Sequence, residues 1–344
     1  MTNARELANL VGGTLTNLTS GTDNVALGDE ALEAVTSGAN NVGIGKDAGT
    51  AITTGIRNTL IGGTSGDALT DADFNIGIGY QSLTTDTKGS KSTAVGYRTL
   101  ANQNFSTSTD SLNTAVGADA GLSVTTGIQN TLIGGLAGDA LTDADINVAL
   151  GYSALGAAIT SDGNTAIGRY ALLSDTQANL NVAVGRDALR AQNMGSDIDS
   201  YNTAVGGLAG TALTTGVYNT LIGGLAGDAI TDADLNVALG YFSLTSNTLG
   251  SKSVAIGAES LASQNYTTAT DSNNTAVGYY SGREITIGIN NTLIGSLAGA
   301  ALTTGNSNVA VGYQALDAED AHGLNTARSE ERRVGKECRS RWSR

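Results

Sequence analysis

The sequence predicts an all-β chain: a parallel β-solenoid, or β-roll, of about 17 coils with a 17-residue period. Three observations predict it. First, a five-residue element (Asn or Ser, a β-branched residue, a small or apolar residue, an aliphatic residue, Gly) occurs seventeen times, starting at Asn24, Asn41, Asn58, Asn75, Ser92, Asn113, Asn130, Asn147, Asn164, Asn181, Asn202, Asn219, Asn236, Ser253, Asn274, Asn291 and Asn308. Second, the copies stand 17 residues apart in thirteen of sixteen intervals and 21 apart after Ser92, Asn181 and Ser253. A period of 17 is too short for paired-helix repeats or propeller blades, and the element is rich in strand formers. Third, the 344 residues include 47 Gly and no Pro. A continuous backbone ladder bent once per coil requires both, because Pro would remove a ladder N–H.

Residues 1–22 precede the first copy and are expected to cap or attach one end, since an open stack exposes a sheet edge. The array spans 23–318. Within each copy, the two-residue period of a strand places the second and fourth positions on one face. The second is Thr, Val or Ile and the fourth Ile, Val or Leu in all seventeen copies, so that face is expected to be the coil interior. The fifth is always Gly, as at Gly28, Gly45, Gly62, Gly117, Gly134 and Gly151, which suits a bend needing positive φ or close backbone approach. A second short strand is expected over the eighth and ninth positions, as at Ala31 and Leu32. Asn at the first position is expected to form a hydrogen-bonded ladder along the coil axis.

The third position is Ala eleven times, Leu four times (Leu60, Leu132, Leu221, Leu293) and Gly twice. On this reading it faces outward, so its apolar character predicts cover by another chain and hence lateral self-association. At ~4.8 Å per coil the array would measure roughly 80 Å. Asn41 to Asn113 and Asn202 to Asn274 are each 72 residues, four copies, while Asn113 to Asn202 is 89, one copy more; growth by duplication of blocks explains this.

Residues 319–344 form a non-repeat tail. From Arg328 onward, RSEERRVGKECRSRWSR carries seven basic and three acidic residues and holds the only Cys (Cys338) and only Trp (Trp342). A basic segment suits an anionic partner. The string also resembles translated adapter or vector sequence, so 328–344 is expected to be an artefact and the natural chain to continue past residue 325.

Net charge is −14, with one Cys and one His. Nucleic-acid binding is therefore not expected, and neither disulfide scaffolds nor Cys- or His-rich metal centres are available. No apolar run reaches 18 residues, so no membrane insertion is expected, and the N-terminus lacks the apolar core of a secretion signal. No nucleophile–base pair or phosphate loop is evident, so the chain is expected to be non-enzymatic, with no cofactor.

Candidate contact residues lie in the three 21-residue intervals, ANQNFSTSTDS, AQNMGSDIDS and ASQNYTTATDS. Loops on rigid scaffolds are where recognition tends to sit, so Gln103, Phe105, Gln192, Met194, Gln264 and Tyr266 are the candidate receptor contacts. The alternative is that Phe105, Met194 and Tyr266 fold back over a neighbouring coil or chain. The loops GDALTDAD at Asp67 and Asp139 and GDAITDAD at Asp228 each gather three carboxylates, but their spacing matches no EF-hand, and no metal site is assigned. Tyr80, Tyr97, Tyr152, Tyr241, Tyr279 and Tyr313 share the sixth position, where packing across a chain interface is expected. His322 receives no role.

SVAIG at Ser253 and NVAVGYQAL at Asn308 resemble the head repeats of trimeric autotransporter adhesins, and NTAVGxxAL at a 17-residue period is still more similar to bacteriophage tail-fibre repeats. The resemblance covers residues 23 to 318. It implies a left-handed β-roll, homotrimeric, exposed on a virion or cell surface and binding a host receptor, possibly a glycan. With neither secretion signal nor membrane-anchoring barrel in the sequence, the phage fibre is the favoured reading, located at the virion surface. The alternative is a bacterial surface adhesin head. An ice-binding solenoid is a third reading, disfavoured because the second-position Thr residues are expected to face inward.

Overall fold

The computed structural model describes residues 21–318 and 321–328. Most of the expected N-terminal cap and most of the tail, including Cys338 and Trp342, lie outside the described residues. Among the described residues every regular element is a strand, and no helix is long and apolar enough to cross a membrane. The fold is a parallel β-solenoid whose described residues divide into two compact units, one running to Asn179 and including Gly195–Asp197, the other formed by Leu180–Met194 and the residues from Ile198 onward.

The first unit carries one three-residue strand per copy from Val25–Leu27 to Thr165–Ile167. Each strand pairs in parallel with the next at the repeat register, as in Val25↔Val42, Thr59↔Ile76 and Thr114↔Thr131. The second unit is built alike from Val182–Val184 onward. It runs one copy beyond the seventeenth: Thr326–Arg328 pairs with Val309–Val311, and the Asn325 N–H donates to Asn308 Oδ1 at 3.0 Å. Asn325-Thr326-Ala327 repeats the first three positions at the correct spacing, but Arg328 replaces the aliphatic residue, which hid this copy from the motif.

The facing of the strand is the reverse of the sequence expectation. Third-position side chains are buried, with Leu60, Ala94, Leu132 and Ala166 at 0% exposure, whereas their second- and fourth-position neighbours are half-buried or exposed. The third position fills the coil, and the second and fourth face outward. The first-position Asn decides this, because it shares a face with the third and its amide is needed inside.

That amide works as a ladder. Asn130 Oδ1 accepts the N–H of Asn147 at 3.0 Å, and Asn130 Nδ2 donates to the carbonyl of Ala144 at 2.7 Å. The same contacts recur at Asn58 and Asn291. Every rung from Asn41 to Asn308 is buried, so a missing amide strands a backbone donor and acceptor without water. Asn130→Ala is expected to lower stability by about 2 kcal/mol, read by chemical denaturation, with amide exchange accelerated first at Asn147.

Beyond the strand, the expected second strand at the eighth and ninth positions is absent and a turn takes its place. The seventh and ninth residues sit at φ near +55°, as in Asp119 (56°) and Leu100 (50°), which no extended segment accommodates. The ninth position is Leu or Gly, and the two alternate to fill the interior. Where it is Gly, space is taken by leucines of adjacent coils or of the same copy: a Cβ on Gly121 would lie 2.8 Å from both Leu100 and Leu132, and one on Gly138 2.8 Å from Leu132 of its own copy. Leu at the third position occurs only in copies whose ninth residue is Gly, namely Gly66, Gly138, Gly227 and Gly299. Side chains from different positions thus occupy one volume in turn, at the density of a protein interior.

Candidate functional surface

The three longer copies place their distinctive residues mostly inside the coil. Gln103, Gln192 and Gln264 are fully buried. Gln103 Nε2 donates to Asp86 Oδ2 (2.6 Å) and Ser92 Oγ (2.9 Å), while its Oε1 accepts from Asn113 Nδ2 (2.9 Å). Gln264 repeats the pattern with Ser253 (2.8 Å) and Asn274 (2.9 Å), and Gln192 with Ser200 (3.1 Å) and Asn202 (3.3 Å). Phe105 and Tyr266 are also buried, at 6% and 5% exposure. Receptor contact through these five side chains is therefore corrected, since they offer almost no surface. Met194 is half-buried.

The reason is local. The added residues return to the stack as short strands, Thr109–Asp110 beside Gly89–Ser90 and Thr270–Asp271 beside Gly250–Ser251. This folds the aromatic ring in over a glycine: a Cβ on Gly89 would meet Phe105 at 2.7 Å and one on Gly250 would meet Tyr266 at 2.6 Å. The Tyr266 hydroxyl donates to the carbonyl of Gly288 at 2.8 Å, and burial pushes its pKa up to about 12. The surface these loops do present is Ser106, Thr107 and Ser108 in one and Thr267, Thr268 and Ala269 in the other.

One repeat before each of these glutamines, a polar side chain enters the interior: Asp86, Asp175 and Asn247. Asp86 accepts backbone N–H groups from Gly89 (2.9 Å) and Phe105 (3.3 Å) as well as the Gln103 amide, yet burial still raises its pKa. Burial pushes Asp175 further, to about 7, against opposing hydrogen bonds from backbone amides including Ala178 N–H at 3.0 Å. Asn247 makes the neutral version, accepting from Gly250 N–H (3.0 Å) and donating to its carbonyl (2.6 Å).

The acidic loops are part of the stacking, with their carboxylates turned to separate partners. Asp73 Oδ1 accepts the N–H of Ile56 (2.8 Å), and Asp145 and Asp234 do the same for Ile128 (2.7 Å) and Val217 (2.8 Å). Asp67 and Asp228 accept from Thr84 and Thr245, both at 2.5 Å. Partial burial raises the pKa of Asp67, Asp139 and Asp228. Among the described residues no group of three or more His, Cys, Asp or Glu is arranged to hold a metal ion.

The bend glycines Gly28, Gly45, Gly62, Gly117, Gly134 and Gly151 have φ between 131° and 141°. Just past them, the six sixth-position tyrosines are all exposed. Tyr80 and Tyr97 stack, with ring centroids 6.0 Å apart.

The surface that sequence reasoning missed is the outward face of the strands. It presents a Thr, Val or Ile and then an Ile, Val or Leu from each of the seventeen motif copies, with Ile76, Ile78, Val148, Leu150, Leu239 and Ile294 among the exposed side chains. The signal was in the first position: an Asn ladder inside the coil puts the second and fourth residues outside by strand parity alone. No family model matches this chain, and no curated protein is similar to it.

Proposed function

We propose that this chain is a non-enzymatic structural and host-attachment fibre segment of a phage tail fibre, whose copies associate as a homotrimer along the outward face of their strands. The observation that supports it is the row of aliphatic fourth-position side chains left half-buried or exposed along each unit. Nine coils of ~4.8 Å, each presenting a three-residue strand about 10 Å long, offer about 430 Å² per unit, about half of one side of a standard interface. Monomeric proteins rarely leave so continuous an apolar strip in water. The number three and the phage assignment rest on the repeat resemblance, with a bacterial adhesin head as the alternative.

Attachment is assigned to the exposed loop tips at 106–108 and 267–269, since their aromatic anchors are buried. The ice-binding reading loses the objection raised against it, because Thr59, Thr93, Thr114 and Thr131 lie on the outward face. On the same face Ile76 and Val148 interrupt the Thr row, which favours contact with protein over contact with ordered water.

The test is oligomeric mass by light scattering. The full chain is expected to sediment and scatter as a trimer, and the double substitution Val116→Lys with Ile133→Lys to give a monomer with unchanged far-UV circular dichroism. Both side chains point outward, so a lysine there stays solvated in the single chain. A wild-type chain that remains monomeric at micromolar concentration would sink the proposal.

A further inference from the structure

Three coils differ from the rest of the array. They carry large apolar residues at all four outer positions, from the residue before the element to the sixth: Phe74-Ile76-Ile78-Tyr80, Ile146-Val148-Leu150-Tyr152 and Leu235-Val237-Leu239-Tyr241. Eleven of these twelve side chains are exposed; Val237 is half-buried. Five of the six adjacent copies break the pattern with a charged, amide or glycine residue before the element, at Arg57, Lys91, Gln129, Gly163 and Lys252; the sixth keeps Tyr218 there and breaks it with Thr220 and Gly224.

The belts share a second feature. The tyrosine of each lies against a glycine at the sixth position of the preceding coil: a Cβ on Gly63, Gly135 or Gly224 would stand 3.4 to 3.6 Å from the ring of Tyr80, Tyr152 or Tyr241. Each ring is thus seated on backbone before any partner arrives. In the first belt the guanidinium of Arg57 also lies 5.2 Å from the centre of the Phe74 ring. Rigid aromatic anchors lose little conformational freedom on binding and dominate interface energetics.

We infer that these three belts are the anchor points at which copies of this chain hold one another, and that the spacing of the two belts within the first unit sets the axial register of assembly. This rests on the self-association proposed above. The belts begin at Asn75, Asn147 and Asn236, which are four and then five copies apart. Within the first unit, parallel and unshifted copies bring both of its belts together, whereas a parallel slip of four copies matches only one. The occupant that fits such a pattern is a second copy of the same chain, because its belts repeat both the chemistry and the spacing.

The test compares two triple variants of the full chain by sedimentation equilibrium. One is Ile78→Ser, Leu150→Ser and Leu239→Ser, in the belts. The other is Val95→Ser, Ile167→Ser and Ile256→Ser, at the same strand position one copy further on. The belt variant is expected to weaken association at least tenfold more than its control. Should either triple variant fail to fold, Ile78→Ser against Val95→Ser carries the same comparison.

Register is read by Thr114→Cys in a Cys338→Ser background, where unshifted parallel copies are expected to form disulfide-linked species under mild oxidation. Equal weakening in both variants overturns the belts as anchors while leaving self-association standing. Association without that cross-link overturns the register. A monomeric wild type overturns the association itself and the belts with it.

Discussion

Replacing Gly134 by Ala is expected to destabilise the coil that holds it by at least about 4 kcal/mol, the range reserved for substitutions that the backbone cannot absorb. Two independent costs combine. Gly134 has φ of +134°, a conformation that residues with a Cβ rarely adopt. The added Cβ would also stand 2.5 Å from the carbonyl oxygen of Gly151, and that oxygen is held in the next coil's backbone and cannot swing aside as a side-chain tip would. Chemical denaturation and hydrogen exchange around 131–151 would measure the effect. A loss below about 1 kcal/mol, the cost of an ordinary Gly→Ala exchange, would show that the bend tolerates a side chain.

The second large effect is on pH dependence. Asp175 titrates near pH 7 when folded, against a reference value of 3.8, because burial disfavours its charged form. Between these values the folded chain holds a proton that the unfolded chain has released. The stabilisation is therefore complete below about pH 4 and is lost as pH rises toward 7, a fall of about 4 kcal/mol for a shift of about three units. Asp175→Asn is expected to remove most of that slope and to leave the protein more stable than wild type at pH 8. Asn247, at the corresponding site of another block, shows that an amide fits there with both its oxygen and its nitrogen engaged. Asp86, also raised by burial, leaves a residual slope of the same sign. Denaturation midpoints at pH 5 and pH 8 decide the matter: an equal difference in wild type and variant would exclude Asp175 as the source.

The period, the parallel register and the strand in each copy were legible in the sequence because a repeated array states the same constraint seventeen times. The facing was not, because apolar residues occupy both faces of every strand and composition alone cannot separate them. The amide of Asn113 or Asn130 could, since a polar ladder in a thin coil is only stable out of water and its parity then fixes the third position inside. The left-handed residues were invisible for another reason. The residue before the element has positive φ whether it is Arg57, Phe74, Leu112 or Ile146, so the conformation is imposed by stacking and leaves no residue preference to read. For Phe105 and Tyr266 the four-residue insertion left two readings open, contact with solvent or folding back over a coil, and Gly89 and Gly250 decide for the second by leaving room for the ring to turn inward.

The alternation of Leu and Gly at the ninth position also constrains how such an array changes length. Copies with Leu, such as those holding Leu155 and Leu172, bring their own filling and accept a neighbour of the same kind. Copies with Gly come in pairs that share one third-position Leu: Gly49 is filled from Leu32 and Leu60 of adjacent copies, and Gly66 from the Leu60 of its own copy. A single Leu copy can be added or deleted without opening a hole, while Gly copies must come and go as a pair. The longer central block, which carries Leu155, Leu172 and Leu189 where the first block has only Leu83 and Leu100, obeys that grammar. It gives a rule for cutting the array shorter or splicing it longer by hand.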